Sequence, residues 1–162
     1  MIDAVLEKLQ TLPAAQQQML LKKFPKDEQQ AIAEILDELN TRKLRERATD
    51  DFMVFVNEMW PNFIHGRHHE KMARAFERVA RGECKRLIIN MPPRHTKSEF
   101  ASYLLPSWFF GKFPGKKVIQ TSHTAELAVG FGRKVRNLVD SANYKRIFPA
   151  LDLQSDSKAA GR

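Results

Sequence analysis

Apolar residues recur at the spacing of a helix face through the first part of the chain. One such set is Ile2, Val5, Leu6 and Leu9, and a second, from Asp27 onward, is Ile32, Ile35, Leu36 and Leu39. Spacings of three and four residues are typical of amphipathic helices. Prolines at positions 13 and 25 interrupt the pattern and suit the first turn of a new helix. Residues 1–48 are therefore predicted to form a helical N-terminal extension.

The helical pattern continues in two shorter segments. Thr49, Asp50 and Asp51 offer an N-cap for a helix that ends at Trp60-Pro61, with Phe52, Phe55, Val56 and Met59 on its apolar face. A stripe of Met72, Ala73, Phe76 and Val79 then predicts a helix that stops near Gly82, since glycine is the usual residue just beyond a helix C-terminus.

The pattern changes after residue 85. Residues 86–90 and 117–122 are short apolar runs bounded by charges and prolines, as expected of buried parallel strands. Residues 97–110 between them have helical spacing and end at Gly111, and Thr124 caps a further helix that runs to about Asp140. The order strand, loop, helix, strand, helix predicts an α/β fold with parallel strands and a right-handed crossover.

Composition narrows the class of protein. The 162 residues are 43% hydrophobic and 28% charged, as in an ordinary globular domain. No apolar run reaches the ~18 residues of a membrane span, and the N-terminus lacks the pattern of a signal peptide. Cys84 has no second cysteine to pair with, which favours a reducing compartment. The net charge of +8 permits a polyanionic partner without identifying one.

The stretch from Met91 to Ser98 carries the most specific chemistry. A phosphate-binding loop needs a turn whose N–H groups converge on an anion, a helix that starts at the phosphates, and a Lys-Ser or Lys-Thr pair at that start. Lys97 and Ser98 supply the pair. The two glycines of the common pattern would fall at Met91 and Thr96, so the residues alone also allow a plain connection without phosphate binding.

Residues 91–99 resemble the deviant Walker A loop of tailed-phage terminase large subunits, which often reads Pro-Pro-Arg-His-Gly/Thr-Lys-Ser. The similarity covers about residues 50–162, including the approach from Asp51 to His69, the Leu104-Leu105-Pro106-Ser107-Trp108 segment and residues 120–128. The resemblance implies an incomplete P-loop ATPase core of the ASCE type over residues 49–162, ending before the Walker B strand and without the family's nuclease domain. ATP turnover by this chain alone is then expected to be weak or absent.

The resemblance also implies roles for individual residues. Lys97 contacts the β- and γ-phosphates, Arg94 neutralises charge on the γ-phosphate during catalysis, and Ser98 ligates Mg²⁺. The nucleotide-binding set it implies is Pro93, Arg94, His95, Thr96, Lys97, Ser98, Glu99, Trp60 and His69. For Trp60, Phe63 and His69 an adenine contact competes with simple packing against the core. A metal site made of histidines is disfavoured because no paired metal-ligand motif accompanies them.

The implied cofactors are ATP and Mg²⁺. The implied partners are double-stranded DNA, the small terminase subunit, the portal protein and further copies in a homo-oligomeric ring of the full-length protein, in the host cytoplasm and away from membranes. Arg133, Lys134 and Arg136 form either a DNA contact or a solvated face. Two alternatives remain: another P-loop enzyme, such as a helicase-like ATPase, or a non-catalytic basic module that binds DNA or a partner.

Overall fold

The structure, a computed structural model, describes residue 12 and residues 14–153. The expected helix face formed by Ile2, Val5, Leu6 and Leu9 lies outside the described residues, as does the resemblance in residues 154–162. The helices of the described part are α1 (Ala14–Leu21), α2 (Lys26–Asp50), α3 (Phe52–Met59), α4 (Arg67–Ala80), α5 (Lys97–Glu99), α6 (Leu105–Lys112), α7 (Ala125–Val139) and α8 (Ala142–Ile147). A π-helical turn, Phe100–Leu104, joins α5 to α6.

The predicted α/β fold is wrong, because the described residues contain helices and irregular segments but no strand. Residues 86–90 and 117–122, the two expected strands, are irregular and pair with no neighbour within the described part. An apolar run becomes a strand only when a second backbone accepts and donates its hydrogen bonds. Ile88 and Ile119 are instead 85% and 91% exposed. The described part of the chain is all-helical.

The chain divides into two compact units, Met1–Leu44 and Arg45–Arg162, whereas the sequence suggested a boundary after residue 48. In the first unit, Ile32 and Leu36 on α2 are buried and pack with apolar residues of the preceding segment, namely Leu20, Leu21 and Phe24. Two residues of the predicted apolar face of the longer helix are thus buried, whereas Ile35 of the same face is 39% exposed. No helix within the described residues is both long enough and apolar enough to cross a membrane.

An aromatic cluster forms the core of the second unit. Phe52 is fully buried and makes edge-to-face contacts with Phe76, Phe100 and Trp108, whose ring centroids lie 5.6, 5.8 and 5.4 Å away. Such geometry adds about 0.5–1.5 kcal/mol per pair beyond area burial. The indole N–H of Trp108 donates to the carbonyl of Ala48 over 2.8 Å. The cluster joins α3, α4, the π-helical turn and α6 around one core.

The predicted helix ends of the second unit are confirmed. The Asp51 carboxylate accepts a hydrogen bond from the N–H of Val54, and the Thr124 hydroxyl accepts one from that of Leu127. Each side chain thereby satisfies one of the free N–H groups at a helix start. Gly82 has a φ of 78° just beyond α4, a conformation that glycine adopts without strain. Local cap chemistry therefore fixes these boundaries.

The π-helical turn lies between α5 and α6. Pro106 has no N–H to donate to the carbonyl of Ser102, and its ring crowds that carbonyl. The amide side chain of Gln120 donates to the freed Ser102 oxygen over 3.1 Å. Proline thus accounts for the wider turn, and Gln120 links the irregular segment 117–122 to this turn.

Candidate functional site

The backbone of the loop before α5 has an unusual conformation. Arg94 and Thr96 both have positive φ, 63° and 57°, while His95 between them does not. Alternating signs of φ are typical of the backbone nests that turn successive N–H groups toward an anion. Thr96 lies at the position of the second glycine in the common Walker A pattern. Its backbone has a left-handed conformation, which glycine adopts without strain.

The N–H groups of the loop face no competing backbone acceptor. Within the described residues, none of the backbone hydrogen bonds outside the helices uses an N–H of residues 94–98. Helical residues then run without interruption from Lys97 to the end of α6, so the loop opens a helix of several turns. Free N–H groups and the positive end of a helix both favour an anion at this place.

Lys97 and Ser98 are placed at the start of this helix. The Lys97 side chain is half-buried, and its ammonium lies 3.4 Å from the carbonyl oxygen of Pro92, on the other side of the loop. Ser98 is exposed. A positive charge folded across the loop and a serine hydroxyl beside it are the groups that a Mg²⁺-triphosphate requires at these positions.

His69 on α4 reaches the loop through a hydrogen bond to Thr96. The Nδ1 atom of His69 lies 3.0 Å from the N–H of Gly66, and its Nε2 atom lies 2.7 Å from the Thr96 hydroxyl oxygen. Because a backbone N–H can only donate, Nδ1 carries no proton and Nε2 donates to Thr96. The Thr96 hydroxyl in turn donates to the carbonyl of His95 over 2.7 Å. Both ring nitrogens of His69 are therefore engaged.

The surroundings of His69 favour its neutral form. Its side chain is only 4% exposed and packs between the rings of Phe63 and Phe100, at 4.7 and 4.9 Å. Burial, and to a lesser extent the neighbouring imidazoles of His68, His65 and His95, together lower the pKa of His69 from 6.5 to about 4. At neutral pH the ring is thus an uncharged donor.

Acid is expected to destabilise the protein through His69. Since the pKa of His69 is lower in the folded state than in the unfolded state, the unfolded state binds the extra proton as pH falls from 6.5 toward 4. At about 1.4 kcal/mol per pKa unit, the free energy of unfolding falls by up to about 3 kcal/mol as the pH falls across this window. Above pH 6.5 the titration of His69 contributes no pH dependence. Urea unfolding of the wild type and of His69→Gln at several pH values measures the difference. Equal pH dependence of the two proteins would contradict this prediction.

The remaining residues of the implied nucleotide-binding set differ in their exposure and in their contacts. Pro93, Arg94 and His95 are exposed, and the His95 ring donates from Nδ1 to the carbonyl of Pro93 over 2.9 Å. The Glu99 carboxylate forms an ion pair of 2.9 Å with Lys134 of α7. Trp60 is half-buried and packs against Phe63, with ring centroids 5.1 Å apart. His69 is joined to the loop by a direct hydrogen bond, whereas Trp60 packs against Phe63, which in turn packs against His69.

Sequence reasoning missed the connection between His69 and Thr96. The two residues are 27 positions apart, and their contact depends on how α4 packs beneath the loop. The available signal was the conflict at position 96 itself, since a β-branched residue resists left-handed backbone angles and needs a partner that holds it there. Comparisons with protein-family models, with curated proteins and with solved structures find no significant match to the chain.

Proposed function

We propose that residues 91–99 bind the triphosphate of Mg²⁺·ATP, and that the chain is the ATP-binding part of a viral DNA-packaging motor of the terminase large-subunit type. The observation that carries this proposal is the left-handed backbone of Thr96 directly before the Lys97-Ser98 pair. A residue other than glycine keeps this conformation at a cost of about 1–3 kcal/mol, and such strain is concentrated at functional sites.

The residues of the loop fit a triphosphate in distinct ways. The N–H groups of residues 94–98 donate to phosphate oxygens, and Lys97 exchanges its weak contact with Pro92 for the β- and γ-phosphates. Ser98 offers its hydroxyl to Mg²⁺, and Arg94, exposed at the loop, neutralises charge on the γ-phosphate. Bound Mg²⁺ supplies further neutralisation of the phosphate oxygens. Hydrolysis and DNA translocation are assigned to the complete motor.

The partners follow from the resemblance and the charge of the chain. The proposal includes double-stranded DNA, the small terminase subunit, the portal protein and a homo-oligomeric ring in the full-length protein, in the host cytoplasm. The net charge of +8 supports a polyanionic partner, since cationic proteins gain affinity for DNA by counterion release. Salt-sensitive DNA binding without any nucleotide binding would favour the basic-module alternative.

Binding through the phosphates predicts that affinity rises with the number of phosphates. Titration calorimetry with ATP, ADP and AMP in the presence of Mg²⁺ is expected to give affinities in that order, with inorganic triphosphate as a competitor. Ser98→Ala is expected to weaken Mg²⁺·ATP binding by about tenfold, since hydrogen bonds and ligation that involve charged groups contribute about 1.5–3 kcal/mol. Without Mg²⁺, the variant and the wild type are expected to bind ATP equally. Equal affinity for ATP and AMP would refute binding through the phosphates.

A further inference from the structure

Thr96 combines a strained backbone with a hydroxyl that is held from two sides. Its φ of 57° and ψ of 9° lie in the left-handed region, which is unfavourable for a β-branched residue. Its hydroxyl accepts a hydrogen bond from His69 Nε2 and donates one to the carbonyl of His95, each over 2.7 Å. A side chain tethered in this way fixes the peptide groups on both sides of it.

We propose that His69 is a positioning residue, which holds Thr96 in the left-handed conformation and thereby aims the loop's N–H groups at the phosphates. This role rests on the proposed function, because the direction of the loop's N–H groups affects binding only if the loop binds a phosphate. In this arrangement a histidine on α4 and a threonine in the loop together replace the glycine of the common pattern. Glycine reaches the same backbone angles without help.

The chemistry of the imidazole suits this task. His69 accepts the N–H of Gly66 at Nδ1, which fixes the ring plane and the tautomer, so that Nε2 always presents a proton to Thr96. The rings of Phe63 and Phe100 pack against the imidazole, and this packing restricts its rotation. The lowered pKa keeps the ring neutral at pH 7, and a neutral ring is needed for Nδ1 to remain an acceptor.

This role makes predictions different from those of an adenine contact or of simple packing. If His69 touches the base or only fills the core, its replacement weakens nucleotide binding whatever residue occupies position 96. If His69 acts through Thr96, its replacement weakens nucleotide binding only when residue 96 is not glycine. A double-mutant cycle between the two positions separates these cases.

The experiment measures Mg²⁺·ATP dissociation constants at pH 7.5 for His69→Leu in the wild-type and Thr96→Gly backgrounds. We expect His69→Leu to weaken binding about tenfold in the wild-type background, the equivalent of releasing one strained left-handed residue, and less than about twofold in the Thr96→Gly background. His69→Gln, which retains a donor and an acceptor, is expected to weaken binding less than His69→Leu. An equal loss in both backgrounds would overturn the proposal.

A second pair of variants avoids any change in the core. Thr96→Val removes the hydroxyl but keeps the β-branch, whereas Thr96→Ser keeps the hydroxyl, and both changes lie in the half-buried loop. Thr96→Val is expected to bind Mg²⁺·ATP about tenfold more weakly than Thr96→Ser. Similar affinities of the two variants would show that the Thr96 hydroxyl does not stabilise the binding conformation of the loop.

The free protein provides a readout that does not depend on ATP. The φ angle of residue 96 can be determined by NMR from its three-bond couplings. We expect a left-handed φ in the wild type and in His69→Gln. We expect His69→Leu and Thr96→Val to lose this left-handed φ. A left-handed residue 96 in His69→Leu would refute the positioning role even if the chain bound no nucleotide. Loss of the left-handed φ together with no ATP binding would uphold the role of His69 and refute only the proposed function.

Discussion

Lys97→Ala is expected to weaken Mg²⁺·ATP binding by about tenfold to a hundredfold. The variant removes the ammonium that folds across the loop, in contact with Pro92, and a hydrogen bond to a charged group contributes about 1.5–3 kcal/mol. Lys97→Arg keeps the charge but not the compact ammonium, so its affinity for Mg²⁺·ATP is expected to lie between those of the wild type and Lys97→Ala. Equilibrium titration of each variant with a fluorescent ATP analogue and unlabelled ATP as competitor gives the affinities.

The fold is expected to tolerate the loss of Lys97. Its ammonium makes a long hydrogen bond of 3.4 Å to a carbonyl oxygen, so the free energy of unfolding should change by less than about 0.5 kcal/mol. Lys116→Ala, at an exposed position outside residues 91–99, is the matched control and is expected to leave the affinity for ATP unchanged. An equal loss of affinity in the two variants would indicate general electrostatic attraction instead of a specific site.

Phe52→Ala is expected to destabilise the second unit by about 3–5 kcal/mol. The Phe52 ring is 0% exposed and is the centre of three edge-to-face contacts, so its removal leaves a cavity among rings that cannot all move inward. Such a loss approaches the entire stability of a small domain, which is about 5–15 kcal/mol. Urea unfolding followed by tryptophan fluorescence measures it, since Trp108 packs directly on Phe52.

Ile88→Ala provides the matched control for this cavity. Ile88 is 85% exposed, so its truncation is expected to change the free energy of unfolding by less than about 0.5 kcal/mol, although it also removes an apolar side chain. Phe52→Leu, which retains much of the volume, is expected to lie between Phe52→Ala and the wild type. If Phe52→Ala and Ile88→Ala were equally stable, the aromatic cluster would not be the core of this unit.

The helices of the second unit could be predicted from the sequence because their signals are local. Asp51 and Thr124 cap helices through N–H groups only three residues away, and Gly82 needs no partner to adopt a positive φ. The apolar stripe of α4 likewise depends only on helical spacing. In each case the residues that decide the structure lie within one or two turns of each other.

The errors arose where the structure depends on distant residues. A run such as 86–90 resembles a strand, but its pairing requires a second backbone, and none lies beside it within the described part. The π-helical turn could have been suspected from Pro106, but the bond from Gln120 to Ser102 could not. The hydrogen bond between His69 and Thr96 spans 27 positions, so the residues near Thr96 along the chain do not reveal it.

An NMR titration of the ¹⁵N-labelled chain with Mg²⁺·ATP tests directly whether the loop binds the triphosphate. We expect the largest shifts at the amides of residues 94–98, because phosphate oxygens accept hydrogen bonds from those N–H groups. Saturation with ATP that left these amides unshifted, while residues elsewhere in the chain responded, would contradict binding by the loop.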